Sequence, residues 1–163
     1  MRQKMLFTIS FDNLATEATA DAFETMLAAR AADTAGYRFR LRSIAVGCAE
    51  DSPVDLPLAV QVRIVDDVSD GGAGTATNAL TPEPHDSLGR ASVITGGSKY
   101  TAEPTTYGDP LFALEMNLRA SLIKEWAPED APVVNRDQLL GLLVAPRTSA
   151  ARTISGCMVI EEF

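Results

Sequence analysis

One histidine, one tryptophan and two cysteines in 163 residues leave this chain short of the side chains on which most catalysis draws. Proton transfer near neutral pH falls first to imidazole, and the lone His85 sits between Pro84 and Asp86 in a stretch that reads as loop. An exposed ring is the expectation there. Neither a G-x-S-x-G elbow nor a G-x-x-x-x-G-K-[ST] phosphate loop occurs, and the glycine clusters GGAG and GGSK read as turns. Cys48 and Cys157 have no C-x-x-C spacing, which removes the usual structural zinc site. They are expected as free thiols in a reducing compartment, with a disulfide between them left open.

Cations are also scarce, 14 against 22 carboxylates for a net charge of −8, so clustered positive charge for a phosphate backbone is missing and nucleic acid is not an expected partner. No apolar run approaches the roughly 18 residues of a spanning helix, which argues against a membrane partner. The start MRQKMLFTISF alternates apolar and polar residues, unlike the unbroken apolar region of a secretory signal, so synthesis in the cytoplasm is expected. Asp66, Asp67 and Asp70 beside Gly71 invite a calcium reading, but their spacing is not that of an EF-hand loop and they read as solvated charges at a strand end. Glu161 and Glu162 fall on opposite faces of a strand and cannot form a facing acid and base. The chain is expected to hold no cofactor and no metal, and not to be an enzyme.

What the chain has is alternation. From Gln3 to Phe11, Met5, Phe7, Ile9 and Phe11 share one face and Lys4, Leu6, Thr8 and Ser10 the other, a period of two that Asp12 and Asn13 end. Tyr37 to Cys48 sets Tyr37, Phe39 and Leu41 against Arg38, Arg40 and Arg42, after which Ile44 and Val46 take over the second face. Leu58, Val60, Val62 and Ile64 alternate next, and Phe112, Leu114, Met116 and Leu118 form a further inward row. The segment DAFETMLAARAA from Asp21 to Ala32 is read as a strand despite its helix formers, because Phe23, Thr25, Leu27 and Ala29 alternate. Ala91 to Thr95 reads as a short strand closed by a turn at Gly96 and Gly97. Leu122 to Trp126, Gln138 to Val144 and Thr153 to Phe163 complete the set. The expectation is an all-β fold, an antiparallel β-sandwich of jelly-roll type with about eight strands and at most one short helix, formed by residues 1–163 as a single domain.

The tract GGAGTATNALTPEPHD, from Gly71 to Asp86, opens with glycines and closes with Pro82 and Pro84, so it is neither helix nor central strand. It reads as a long crossing between strands. Arg38, Arg40 and Arg42 place three guanidinium groups on one strand face over about 13 Å. They suit cross-strand carboxylates of the same chain, or an acidic patch on a neighbouring subunit. Trp126 reads as a core plug at a sandwich end.

The crossing tract, the segment TAEPT, then LFALEMNLRA, the loop WAPEDAPVV and the ending VIEEF occur in an order that resembles jelly-roll virion proteins of tailed bacteriophages and prophages. The resemblance covers roughly residues 37–163. It implies a capsid decoration or cement protein on the virion exterior, made in the host cytoplasm. The partners it implies are the major capsid protein and the chain itself, as a homotrimer. Residues 1–15 would then serve as an N-terminal arm or interface strand, with Met5, Phe7 and Ile9 and the three arginines as candidate protein-interface residues. No catalytic residue is carried over. The alternative is a carbohydrate- or receptor-binding sandwich of a fibre or spike, using Tyr100, Tyr107 or Trp126. A cupin-type enzyme would need a cluster of histidines that the chain lacks.

Overall fold

Alternating rows close two antiparallel sheets face to face in the structure, a computed structural model that describes residues 4–31, 38–50, 55–66, 68, 73–86 and 91–163. Among these there are twelve strands and no helix. They are β1 (Met5–Ala15), β2 (Glu24–Ala31), β3 (Phe39–Cys48), β4 (Pro57–Val65), β5 (Thr75–Leu80), β6 (Glu83–Pro84), β7 (Ile94–Ala102), β8 (Phe112–Asn117), β9 (Leu122–Glu125), β10 (Val133–Val134), β11 (Leu139–Pro146) and β12 (Thr153–Glu162). The first sheet has the order β10-β3-β12-β1-β6, with β9 also beside β3, and the second has the order β5-β7-β2-β11-β4-β8.

The jelly-roll expectation can be read directly from this order. β1, β12, β3 and β9 are neighbours in one sheet and β2, β11, β4 and β8 in the other, and along the chain each of the eight steps to the opposite sheet except from β4 to β8, which pair within the second. The count exceeds eight because β5, β6 and β7, inserted between β4 and β8, widen both sheets, and β10 fills the rest of the β3 edge. The described part of the Gly71 to Asp86 tract is a crossing: β5 lies at the edge of the second sheet and β6 pairs with β1 of the first. Gly71 and Gly72 lie outside the described residues.

Phe7, Ile9, Phe39, Leu41, Ile44 and Met158 from the first sheet meet Leu27, Leu58, Leu140 and Leu142 from the second, all buried in one core. Burial of side chains this large contributes roughly 1.5–3 kcal/mol each. Met5, Phe7 and Ile9 therefore face the protein's own second sheet, and β1 is no arm: it is hydrogen-bonded between β12 and β6. Their row has no outward surface for a partner. Asp12 and Asn13 do not end β1 either, since its ladder to β12 slips between Phe11 and Leu14, Asn13 takes a φ of 54°, and pairing resumes to Ala15.

A second irregularity explains the change of phase in β3. Leu41 faces Ile160 and Ser43 faces Val159, so one extra residue is accommodated between them and Ile44 and Val46 return to the inward face of Phe39 and Leu41. They do not move to the second face. Gly96 and Gly97 form no turn: they lie inside β7, paired with β2 and β5. A Cβ on Gly96 would stand 2.8 Å from Ile9 Cγ2, and one on Gly97 would stand 2.7 Å from Ala76 Cβ, so the glycines mark close approach. Leu114, expected inward, is 48% exposed because β8 is an edge strand, whereas Met116 and Leu118 are buried.

β11 is buried along its whole length, on both faces. Leu140, Leu142 and Val144 point into the sandwich, while Leu139 belongs to a small outer cluster with Ala28, Val65 and Val68. Residues 103–111 close that outer side. Glu103 accepts the Thr25 N–H at 2.9 Å, the Tyr107 hydroxyl meets Thr25 Oγ1 at 2.8 Å, and the N–H groups of Gly108 and Leu111 bond to the carbonyls of Ile64 and Val62. The segment thus straps the second sheet on its way from β7 to β8.

Candidate interaction surface

Outward positions of the first sheet are fixed by the same alternation that buries its core residues. Register places Ser10, Cys157, Ala45 and Ile123 in one cross-strand row and Thr8, Val159, Ser43 and Glu125 in the next. Seven of these eight are uncharged in a chain of net charge −8. Ile123 is 68% exposed, the largest value among the exposed large hydrophobic residues, and Leu6 and Val133 also show more than a third of their surface. A shallow depression of about 330 Å³ opens beside Ile123, lined by Ala45, Val46, Gly47, Ser121, Ser155 and Gly156. An exposed apolar side chain over small residues is a contact geometry, suited to a flat partner surface.

Charge borders this face at one end. Arg42 Nη1 lies 2.9 Å from Glu161, a carboxylate whose side chain is only 9% exposed, and Lys4 approaches the same group at 3.7 Å. Arg40 packs its guanidinium 4.5 Å from the centre of the Phe163 ring and donates to the Pro128 carbonyl at 3.2 Å. Arg38 is exposed, and its backbone carbonyl accepts the Phe163 N–H at 3.2 Å. The three arginines are therefore not equivalent: Arg42 serves a carboxylate of its own chain, Arg40 a ring, and Arg38 faces solvent.

The remaining sequence candidates are dispersed. His85 shares a hydrogen bond of 2.7 Å with Thr8 and its N–H bonds to the Leu6 carbonyl, which fixes the end of the crossing against β1. Asp66 accepts from Gln138 Nε2 at 3.0 Å, while Asp67 and Asp70 lie outside the described residues. Among the described residues no group of three or more metal-ligating side chains converges. Cys48 and Cys157 are free thiols, and burial pushes the Cys157 thiol above its ordinary value. Trp126 packs edge-on against Phe112 with ring centres 6.0 Å apart and lies against the core. Tyr107 is carried by the strap and packed against the second sheet, its phenol pushed well up by burial, and burial raises Tyr100 to about 12.

Sequence reasoning missed this outer face. Its signal was present as the positions between the core residues, Ser43, Ala45 and Gly47 on β3 and Ser155, Cys157 and Val159 on β12, which carry no charge. Also missed was the burial of the acidic end of β12. Glu162 is fully buried and accepts the N–H groups of Val93 and Ile94 and the Ser92 hydroxyl. Comparison with protein-family models, with curated proteins and with solved structures finds no match in any of the three.

Proposed function

We propose that the protein is a bacteriophage virion structural protein, a capsid decoration or cement protein that binds the outer surface of the major capsid shell as a symmetric homo-oligomer. A homotrimer is the assembly that the sequence resemblance implies. The observation that carries this reading is the largely uncharged centre of the outer face of the β1-β12-β3-β9 sheet, with Asp12 and Glu125 at its margins and Ile123 standing 68% exposed above small residues. A jelly roll that keeps the centre of one broad face uncharged and holds its charge at the margins is fitted to lie flat against another protein. In this reading the protein turns over no substrate and uses no cofactor, nucleic acid or membrane. It is made in the host cytoplasm and ends on the virion exterior.

The reading is tested by adding purified protein to capsid shells that lack it and sedimenting the shells. The wild type is expected to pellet with the shells, and Ile123→Lys to bind at least tenfold more weakly, a loss of about 1.4 kcal/mol. Wild type that stays in the supernatant, or an Ile123→Lys variant that binds equally well, overturns it. The alternative of a carbohydrate- or receptor-binding sandwich looks to Tyr100, Tyr107 and Trp126, and all three rings are at least partly buried against the chain itself.

A further inference from the structure

A sheet edge carries unpaired backbone donors and acceptors, and folded proteins protect such edges with charge, proline, brevity or interruption. Among the described residues the two sheets end in four edges, and three carry such protection. β6 has two residues and ends in Pro84. The edge formed by β9 and β10 bears Lys124 and Glu125 and is broken between Glu125 and Val133. β8 carries Glu115, which pairs with Arg147.

The fourth edge, β5, is unprotected. Its sequence TATNAL contains no charge and no proline, and Thr81 extends the uncharged run. Thr75, Thr77, Asn78 and Ala79 are exposed. β7 holds one side of the strand in antiparallel register, with a single slip at the Thr75 end. Among the described residues nothing pairs with the other side, so alternate N–H and C=O groups along roughly 20 Å of strand point outward.

We propose that β5 is a self-pairing seam, where a second copy of this chain adds its own β5 antiparallel across a two-fold axis and joins two six-stranded sheets into one of twelve. The charge distribution selects a copy as occupant. A chain of net charge −8 repels itself, and self-association needs a seam free of carboxylates; β5 supplies one. Antiparallel edge pairing is isologous, so the same row of threonines and Asn78 meets itself, and Thr–Thr contacts are favourable cross-strand pairs. This contact is two-fold and independent of the shell binding and three-fold grouping proposed above.

The test uses two opposite charges at one exposed position. Molar mass by light scattering is measured for the full chain, for Asn78→Lys, for Asn78→Glu and for their equal mixture, and hydrogen exchange is followed at the β5 amides. The wild type is expected at twice the mass of either variant, with slow β5 exchange, and the mixture is expected to regain the doubled mass. Thr77→Lys and Thr77→Glu replace any Asn78 variant whose unfolding midpoint has fallen. Equal mass for wild type and variants overturns the proposal, as does a mixture that stays at the variant mass. Wild type that gains β5 protection only on adding a foreign extended peptide overturns it in favour of an unrelated strand as occupant.

Discussion

The carboxylate of Glu162, on the last strand of one sheet, accepts the backbone N–H of Val93 at 3.0 Å, at the entry to a strand of the other. The same oxygen takes the Ile94 N–H at 3.3 Å, so one fully buried acid ties the two sheets together where β7 begins. Glu162→Ala would take this acceptor from the Val93 N–H and the Ser92 hydroxyl, while the Ile94 N–H keeps Ser92 Oγ at 2.9 Å, and an orphaned group costs about 1–3 kcal/mol. Urea unfolding is expected to show a loss in that range or above, and Glu162→Gln, which keeps one acceptor oxygen, a smaller one. An alanine variant as stable as the wild type would contradict this role.

Tyr107 lies over Gly141, and a Cβ there would stand 2.9 Å from Tyr107 Cε1 and 3.0 Å from Cζ. Gly141→Ala must displace the ring and the strap that carries it, an overpacking cost of about 1–3 kcal/mol. Proteolysis within residues 103–111 is expected to accelerate in that variant. Removing the ring in a Tyr107→Ala, Gly141→Ala double variant is expected to relieve the clash, so the two losses should fall short of adding.

Burial raises the Glu24 carboxyl from its ordinary value of 4.5 to about 7; the Glu17 N–H opposes the shift and the nearby Glu17 and Glu103 carboxylates add to it. Between about pH 4.5 and 7 the unfolded chain has given up this proton while the folded chain still holds it, so this group's contribution to stability falls as pH rises through that window. Below it the contribution is fully present. The urea midpoint of the wild type is expected to drop further from pH 5 to pH 8 than that of Glu24→Gln, which keeps a carbonyl acceptor for Glu17. Parallel profiles would contradict the assignment.

Arg42 and Arg38 should separate sharply under charge reversal. Arg42→Glu sets a second carboxylate against the nearly buried Glu161, at an expected cost of about 2–4 kcal/mol. Arg38→Glu, on exposed surface, is expected to stay within about 0.5 kcal/mol of wild type. Combining Arg42→Glu with Glu161→Arg should recover part of the loss in thermal unfolding. Equal effects at the two positions would show that Glu161 does not depend on Arg42.

The strands were legible wherever one face was apolar and the other was not, as in Met5, Phe7, Ile9 and Phe11 or Leu58, Val60 and Val62. Alternation gives the period of a row but not its neighbour: the Met5 row could be read as meeting a partner because nothing local distinguishes a second sheet from a second chain. Glycines hid β7, since Gly96 and Gly97 add no side chain to the alternation and their close contacts to Ile9 and Ala76 come from distant segments. The extra residue in β3 left a change of phase in the sequence, which only the pairing with Val159 and Ile160 explains. The burial of Glu161 and Glu162 was not legible because their partners, Arg42 and the β7 entry, lie 119 and about 70 residues away.

Cryo-electron reconstruction of capsid shells incubated with the purified protein tests the proposed shell binding most directly. Jelly-roll density is expected outside the shell, with Ile123 and the largely uncharged face of the first sheet turned toward the major capsid protein. Shells without added density, or density that presents the strapped second sheet to the shell instead, would contradict it.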